Sequence, residues 1–317
     1  MIAKTKFSKE ELNKIISGYN LGQLKSFRPF ETGAVQTNIL LKTSKGKFVL
    51  RYYGQRTKKY VLFEVNILHY FRDHKYPCAT PIRNIHGDFI GKYNGKYFAI
   101  FNYLEGKHIK KPNNIQYHQL GKYLAKLHNL SQGYKPDHWE VRENKDKKFC
   151  LDTAKVESKK FKSKTEAKEK LKFLKREISK VKLPGSLPKG VCHGDWDITN
   201  LKFEGNKLTG VLDFDDSCYT HLIFDVANFI YYWAWMREKE FNFSKARSLL
   251  RDYFKYRKLS EVEKKYLFDG IKMVIFTYMG WFFYEKWKTE DVFDNCKKRL
   301  EFLDSIGRDE FYNRLFK

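Results

Sequence analysis

The hydrophobic pattern changes character about a third of the way along the chain. In the first hundred residues, short apolar runs alternate with turn signals. Asn38-Ile39-Leu40-Leu41 and Phe48-Val49-Leu50-Arg51-Tyr52 are β-favouring, with Ser44-Lys45-Gly46 between them, and read as a hairpin. Asn94-Gly95 divides residues 89–93 from 96–101 and is the strongest local hairpin signal in the chain. Two helices are expected here. One runs over residues 8–16, where Ser8 as N-cap and Glu11 three places on form a capping box. The other spans 61–72, with Leu62, Val65, Leu68 and Tyr70 at helical spacing.

Beyond Phe101 the period becomes helical. Leu120, Tyr123, Leu124 and Leu127 recur at i, i+3, i+4, i+7, which predicts an amphipathic helix over 116–130. Residues 157–181 read as a charged helical segment, 191–213 as strand, loop and hairpin, and the chain from His221 on as helical. The expected fold is α+β and bilobal. A small antiparallel-sheet lobe, 1–102, is followed by a larger, mostly helical lobe, 103–317, with the boundary at about 101–106.

Composition narrows the class. The chain has 317 residues, 42% apolar and 17% aromatic, so it is not a disordered polymer. The most apolar stretch, 219–236, contains His221, Asp225 and Asn228 and fits a buried helix better than a membrane span. The N-terminal residues lack a signal-peptide pattern, and five cysteines without a CxxC pair suggest buried thiols, so a cytoplasmic protein is expected. The net charge of +25 raises nucleic-acid binding as an alternative. Its densest block, 155–182, carries glutamates among the lysines and reads as a solvated helix, and no nucleic-acid motif accompanies it.

The candidate chemistry lies at Val191-Cys192-His193-Gly194-Asp195-Trp196-Asp197-Ile198-Thr199-Asn200, then a Gly205-Asn206 turn, then Leu212-Asp213-Phe214-Asp215-Asp216. Phosphoryl transfer needs an acceptor hydroxyl held in line, a carboxylate beside it and a metal on the phosphates. An aspartate followed five positions later by an asparagine can supply base and metal ligand from one turn, and an aspartate after the next hairpin can supply a second ligand. Asp195 is the candidate base. Asn200 and Asp213 are candidate Mg²⁺ ligands, with Asp215 as a further one. The spacing matches the protein-kinase catalytic loop, with Gly194 in place of Arg and Asp213-Phe214-Asp215 in place of D-F-G.

HGDxxxxN followed by a hydrophobic strand and LDFD resembles the aminoglycoside phosphotransferase/choline kinase superfamily of protein-kinase-like fold, nearest in layout to type II homoserine kinases. The resemblance covers about 30–235 and implies that 1–102 is the nucleotide-binding lobe and 103–317 the catalytic and acceptor-binding lobe, with the hinge at about 101–106. It implies a soluble, ATP-dependent (or GTP-dependent), magnesium-requiring transferase acting on a small-molecule hydroxyl, monomeric or homodimeric, with no specific nucleic-acid or membrane partner. It places Gly33, in Phe30-Glu31-Thr32-Gly33-Ala34-Val35-Gln36-Thr37-Asn38, on the nucleotide-covering loop. It puts Arg51 where a phosphate-binding Lys is usual, with Glu64 to pair with it, and Phe101 and Tyr103 on the adenine-reading hinge. Asp225, in Ile223-Phe224-Asp225-Val226-Ala227, would brace the catalytic loop, as would His193.

The acceptor pocket is expected beside Asp195, lined by Trp196, Asp197, Asp216, Tyr219, Tyr232 and Trp235. Carboxylates and aromatic faces there suit a hydroxylated, amine-bearing molecule. Homoserine ranks first, ahead of an aminoglycoside, choline or a sugar, because the overall positive charge disfavours a polycation. Thr199 stands where homoserine kinases often carry Asp. A protein kinase is disfavoured because eleven residues separate Asp213 from Asp225, too few for an activation loop.

Overall fold

The computed structural model describes the chain except residues 1–3, 32–35, 237, 239, 285 and 288–289. It forms two compact units, neither continuous in sequence. The first gathers Met1–Pro112, Lys135–Arg142 and Ile198–Asp215, and the second gathers Asn113–Tyr134, Glu143–Asp197 and Asp216–Lys317.

The first unit is built on a five-stranded antiparallel sheet in the order β1-β2-β3-β5-β4. Its strands are β1 (Leu24–Pro29), β2 (Thr37–Thr43), β3 (Gly46–Tyr53), β4 (Ile90–Tyr93) and β5 (Lys96–Asn102). The Asn94-Gly95 turn has φ +46° and +76°, the twist that closes a two-residue hairpin. Helix α1 (Lys9–Ile16) begins with the expected capping box at Ser8 and Glu11. Its Leu12, Ile15 and Ile16 enter a core with Ile39, Leu41, Leu50 and Ile100. Helix α2 (Lys58–Asp73) buries Val61, Phe63, Glu64, Val65, Ile67, Leu68 and Phe71, so one carboxylate lies among its apolar positions. A hairpin of β6 (Leu201–Glu204) and β7 (Lys207–Val211) joins this unit through bridges from Cys78 to Val211 and from Lys107 to Phe203.

In the second unit, α3 (Asn114–Ser131) packs on α7 (Phe243–Phe254), and α6 (Ile223–Tyr231) packs on the long α8 (Glu261–Trp281). The lysine-rich stretch is two helices, α4 (Lys147–Ser158) and α5 (Lys164–Lys180), rather than one. Ser163 caps the second and accepts the Glu166 N–H, so local capping chemistry restarts the helix inside a uniformly charged sequence. Helices α9 (Val292–Ile306) and α10 (Arg308–Phe316) complete the unit. A two-stranded ribbon pairs Lys189–Cys192 with Cys218–His221. All five cysteines are free and buried. Among the described residues no helix is long and apolar enough to cross a membrane.

Gly121 sets the approach of α3 to α7. A Cβ there would lie 2.7 Å from the Tyr253 amide nitrogen and 3.0 Å from the Leu249 carbonyl oxygen, both backbone atoms that cannot swing aside. Gly121→Ala should therefore destabilise the protein by about 1–3 kcal/mol, the usual cost of overpacking. The measurement is a urea unfolding curve, and an unchanged midpoint would refute this close-packing assignment.

Candidate active site

In the first unit, pairing of Leu201 with Val211 leaves Asn200 and Leu212 at the open end of the β6–β7 hairpin, where the Leu212 N–H donates to the Asn200 carbonyl at 2.8 Å. Asn200 and Asp213 thus leave the same end of one short ladder. Asp213 has φ +59°, a left-handed conformation unusual for a side-chain-bearing residue. Phe214–Asp216 then makes a single 3₁₀ turn that buries Phe214 and Asp215.

Arg51, on β3, donates to Glu64 at 2.7 Å and to Asp213 at 3.0 Å. Glu64 is fully buried, so this is an interior ion pair and not a surface contact. Burial pushes the Glu64 carboxyl up from the ordinary range, with Arg51 and Arg142 pulling against it. Burial also works against the Arg51 charge, but Glu64 and Asp213 outweigh it and the guanidinium is held well above its ordinary value.

Two further arginines meet at Asp215, and the sequence reading had passed over both. Arg56 donates to the Asp215 carboxylate at 3.0 Å. Arg142 is buried, donates to the Asp215 and Tyr60 carbonyls, and stacks 3.5 Å from the Tyr60 ring centroid. They lie in segments with no recognisable spacing, so only the fold brings them together. The second Asp215 carboxylate oxygen, Oδ1, is buried with no hydrogen-bond partner. An orphaned carboxylate oxygen, the neighbouring Asp213 carboxylate and the Asn200 side-chain oxygen are hard donors of the kind Mg²⁺ takes, so the residues fit such an ion.

Phe101 is buried in β5, and the Tyr103 N–H donates to Lys47. The Lys202 ammonium donates to the Leu104 carbonyl at 2.6 Å and lies 4.3 Å from the Tyr103 ring. Gly33 lies outside the described residues.

The second unit holds the candidate base. Asp225, fully buried in the first turn of α6, accepts the backbone N–H of His193 at 2.5 Å and of Gly194 at 2.9 Å. Burial alone would raise this carboxyl, but the His128 contact, His193 and the Gly194 N–H bring it below its usual value. His128 lies 3.3 Å from the Asp225 carboxylate through Nε2 and 2.7 Å from the Tyr253 hydroxyl through Nδ1. Arg257 donates to that hydroxyl at 2.9 Å and to Glu263 at 2.7 Å. This buried relay connects α8 to the loop that carries Asp195, and sequence spacing gave no sign of it.

His193 Nδ1 accepts the Asp195 N–H at 3.3 Å. Gly194 has φ +80°, and a Cβ there would fall 2.5 Å from the Asp216 carbonyl and 2.6 Å from the Lys145 ammonium, which accounts for glycine where protein kinases carry Arg.

Of the expected acceptor-lining residues, Asp195 and Asp197 are half-buried, Asp216 is exposed and Tyr219 is half-buried. Trp196, Tyr232 and Trp235 are buried, at 1%, 6% and 3% exposure, so any of their surface that meets a ligand is small. Tyr232–Met236 forms a π-helical turn, and the Trp233 indole donates to the Trp196 carbonyl at 3.0 Å, tying that turn to the loop beside Asp195.

Comparison with known proteins agrees with this architecture. Residues 26–262 match the phosphotransferase enzyme family. The chain belongs to that family. It is similar to proteins named homoserine kinase from Bradyrhizobium diazoefficiens, at 30% identity over 83% of this chain and 80% of that one, and from Caulobacter vibrioides, at 31% over 84% of each. In fold it resembles an amicoumacin kinase solved with AMP-PNP and Ca²⁺, with a TM-score of 0.66 and 14% identity, covering 93% of both chains. It also resembles a spectinomycin phosphotransferase solved with ADP, with a TM-score of 0.60 and 11% identity, covering 98% of both. The chain is therefore a small-molecule phosphotransferase.

The three arginines give Asp215 a pH signature. Burial would raise its carboxyl, yet Arg51, Arg56 and Arg142 hold it below the usual value. The resulting stability is complete above the unfolded carboxylate value of about 3.9 and is lost as pH falls through the lower folded value. Wild type should unfold later than Asp215→Asn in thermal melts at pH 7, and the gap should close below about pH 4. A gap independent of pH would remove the ionic explanation.

Proposed function

We propose that this enzyme transfers the γ-phosphoryl group of ATP to the side-chain hydroxyl of homoserine or a similar small amino alcohol. The observation that carries this reading is the match to homoserine kinases across at least four-fifths of both chains. Within the family, small acceptors are also favoured by the chain's charge of +25, which opposes long-range attraction of polycationic aminoglycosides.

The proposed roles follow from the chemistry of each residue. Asp195 orients the acceptor hydroxyl and takes its proton. Asp225 and His193 fix the loop that carries it, through the backbone hydrogen bonds described above. Asn200, Asp213 and Asp215 would hold Mg²⁺, which when bound neutralises charge on the phosphate oxygens. Arg51, held by Glu64, contacts the nucleotide phosphates. Its planar fork suits phosphate, and it differs from the usual lysine in bulk and in never losing its proton. The backbone of 101–103 reads adenine. Asp197, Asp216 and Tyr219 offer the acceptor surface, while Trp196, Tyr232 and Trp235 are buried in the same unit and add little of their own.

Two measurements test this reading. In a panel of L-homoserine, choline, aminoglycosides and sugars with Mg-ATP, homoserine should give the highest kcat/KM, and excess EDTA should stop turnover. Phosphorylation of kanamycin-type compounds without any of homoserine would overturn the acceptor assignment. Asp195→Asn should lower kcat by about 10²–10⁴-fold, the usual contribution of a positioned base, while ATP binding persists. A near-normal kcat would exclude Asp195 as the base.

A further inference from the structure

A homoserine-sized substrate carries a carboxylate, and the acceptor surface named above contains no cation. Among the described residues, Lys145 and Arg299 of the second unit come near it. Lys145 is buried, donates to the Gly194 carbonyl at 3.3 Å and faces the Trp281 ring at 4.5 Å. Its ammonium is engaged by the loop and closed to solvent.

Arg299, on α9, is different. It is half-buried rather than closed off. One nitrogen donates to the Tyr231 hydroxyl at 2.6 Å. Its charge lies 5.1 Å from the Tyr231 ring and 5.8 Å from the Trp235 ring. Among the described residues it has no carboxylate partner. A guanidinium offers five N–H donors in a flat fork that matches a carboxylate.

Its surroundings lead back to the base. Tyr231 packs on Tyr278 with ring centroids 5.0 Å apart. Burial first, then the charges of Asp195 and Asp197, raise the Tyr278 phenol, while Arg299 opposes the rise. Asp195, Asp197 and Arg299 are thus all within electrostatic reach of one hydroxyl. Trp235 adjoins Arg299 from the π-helical turn, which Trp233 ties to the loop at Trp196.

We propose that Arg299 binds the α-carboxylate of the acceptor, while the Asp195 side holds its hydroxyl. This makes Arg299 the residue that selects an amino acid over a plain amino alcohol. The proposal rests on the reading of the enzyme as a homoserine-class kinase. The contact it invokes is a charge-assisted, fork-to-carboxylate hydrogen bond.

The experiment compares L-homoserine with 3-aminopropan-1-ol, which is homoserine without the carboxylate, on wild type, Arg299→Met and Arg299→Gln. Arg299→Gln keeps a donor for Tyr231 and guards against a packing artefact, and thermal melts confirm that both variants fold. For homoserine, both variants should raise KM by about 10–100-fold, the scale of a lost charged hydrogen bond, with little change in kcat. For 3-aminopropan-1-ol they should leave KM at its wild-type value. Equal KM effects on the two compounds, or none on homoserine, overturn the role of Arg299 while leaving the homoserine assignment intact. Failure of wild type to phosphorylate homoserine overturns both.

Discussion

The loop that carries Asp195 depends on one buried carboxylate. Asp225 sits inside an apolar helix, where an isolated charge would be costly, and it stays charged because two backbone N–H groups and His128 point at it. Those two N–H groups belong to His193 and Gly194, the residues just before Asp195. The conformation of the loop and the ionisation of its anchor therefore support each other. The relay through Tyr253, Arg257 and Glu263 extends the anchor into α7 and α8. Deforming the loop would leave several interior polar groups unsatisfied at once, so the network favours a single geometry.

The first unit solves a different problem with the same chemistry. It gathers acids that would repel one another: Glu64, Asp213 and Asp215. Arg51, Arg56 and Arg142 neutralise them, and both Arg51 and Arg56 reach carboxylates proposed above to bind metal. The cluster explains why a chain in this family can carry arginine at position 51. A guanidinium spans Glu64 and Asp213 together, with one nitrogen on each, which suits its fork better than a single ammonium point charge.

Much of this was legible in the sequence because the signals were local. The capping box at Ser8 and Glu11, the Asn94-Gly95 turn and the period of α3 each follow from residues a few positions apart. The Asp195–Asn200–Asp213 spacing is legible for the same reason, since one loop and one hairpin span it. What escaped was either weakly patterned or distant. Strand β1, Leu24–Pro29, is an edge strand with five exposed or half-exposed positions in a row after Leu24, the last a proline, so it shows no clean alternation. The break between α4 and α5 lies in a run of lysines whose hydrophobicity hardly changes. Arg56, Arg142, Tyr253 and Glu263 act only through tertiary placement, which no spacing rule detects. The burial of Trp196 was hidden too, because its neighbours Asp195 and Asp197 reach solvent while it points inward.

The five buried thiols have a practical side. Burial lifts the Cys78 and Cys150 thiols to about 12 and Cys296 to about 11, far from the thiolate range in which such groups react at neutral pH. With all five thiols buried, the native protein should react only slowly with maleimide and iodoacetamide dyes. A single cysteine introduced at exposed Lys207, near the tip of the hairpin that carries Asn200 and Asp213, would take a fluorophore selectively with every native cysteine left in place. The enzyme can thus be given an optical reporter without first being rebuilt.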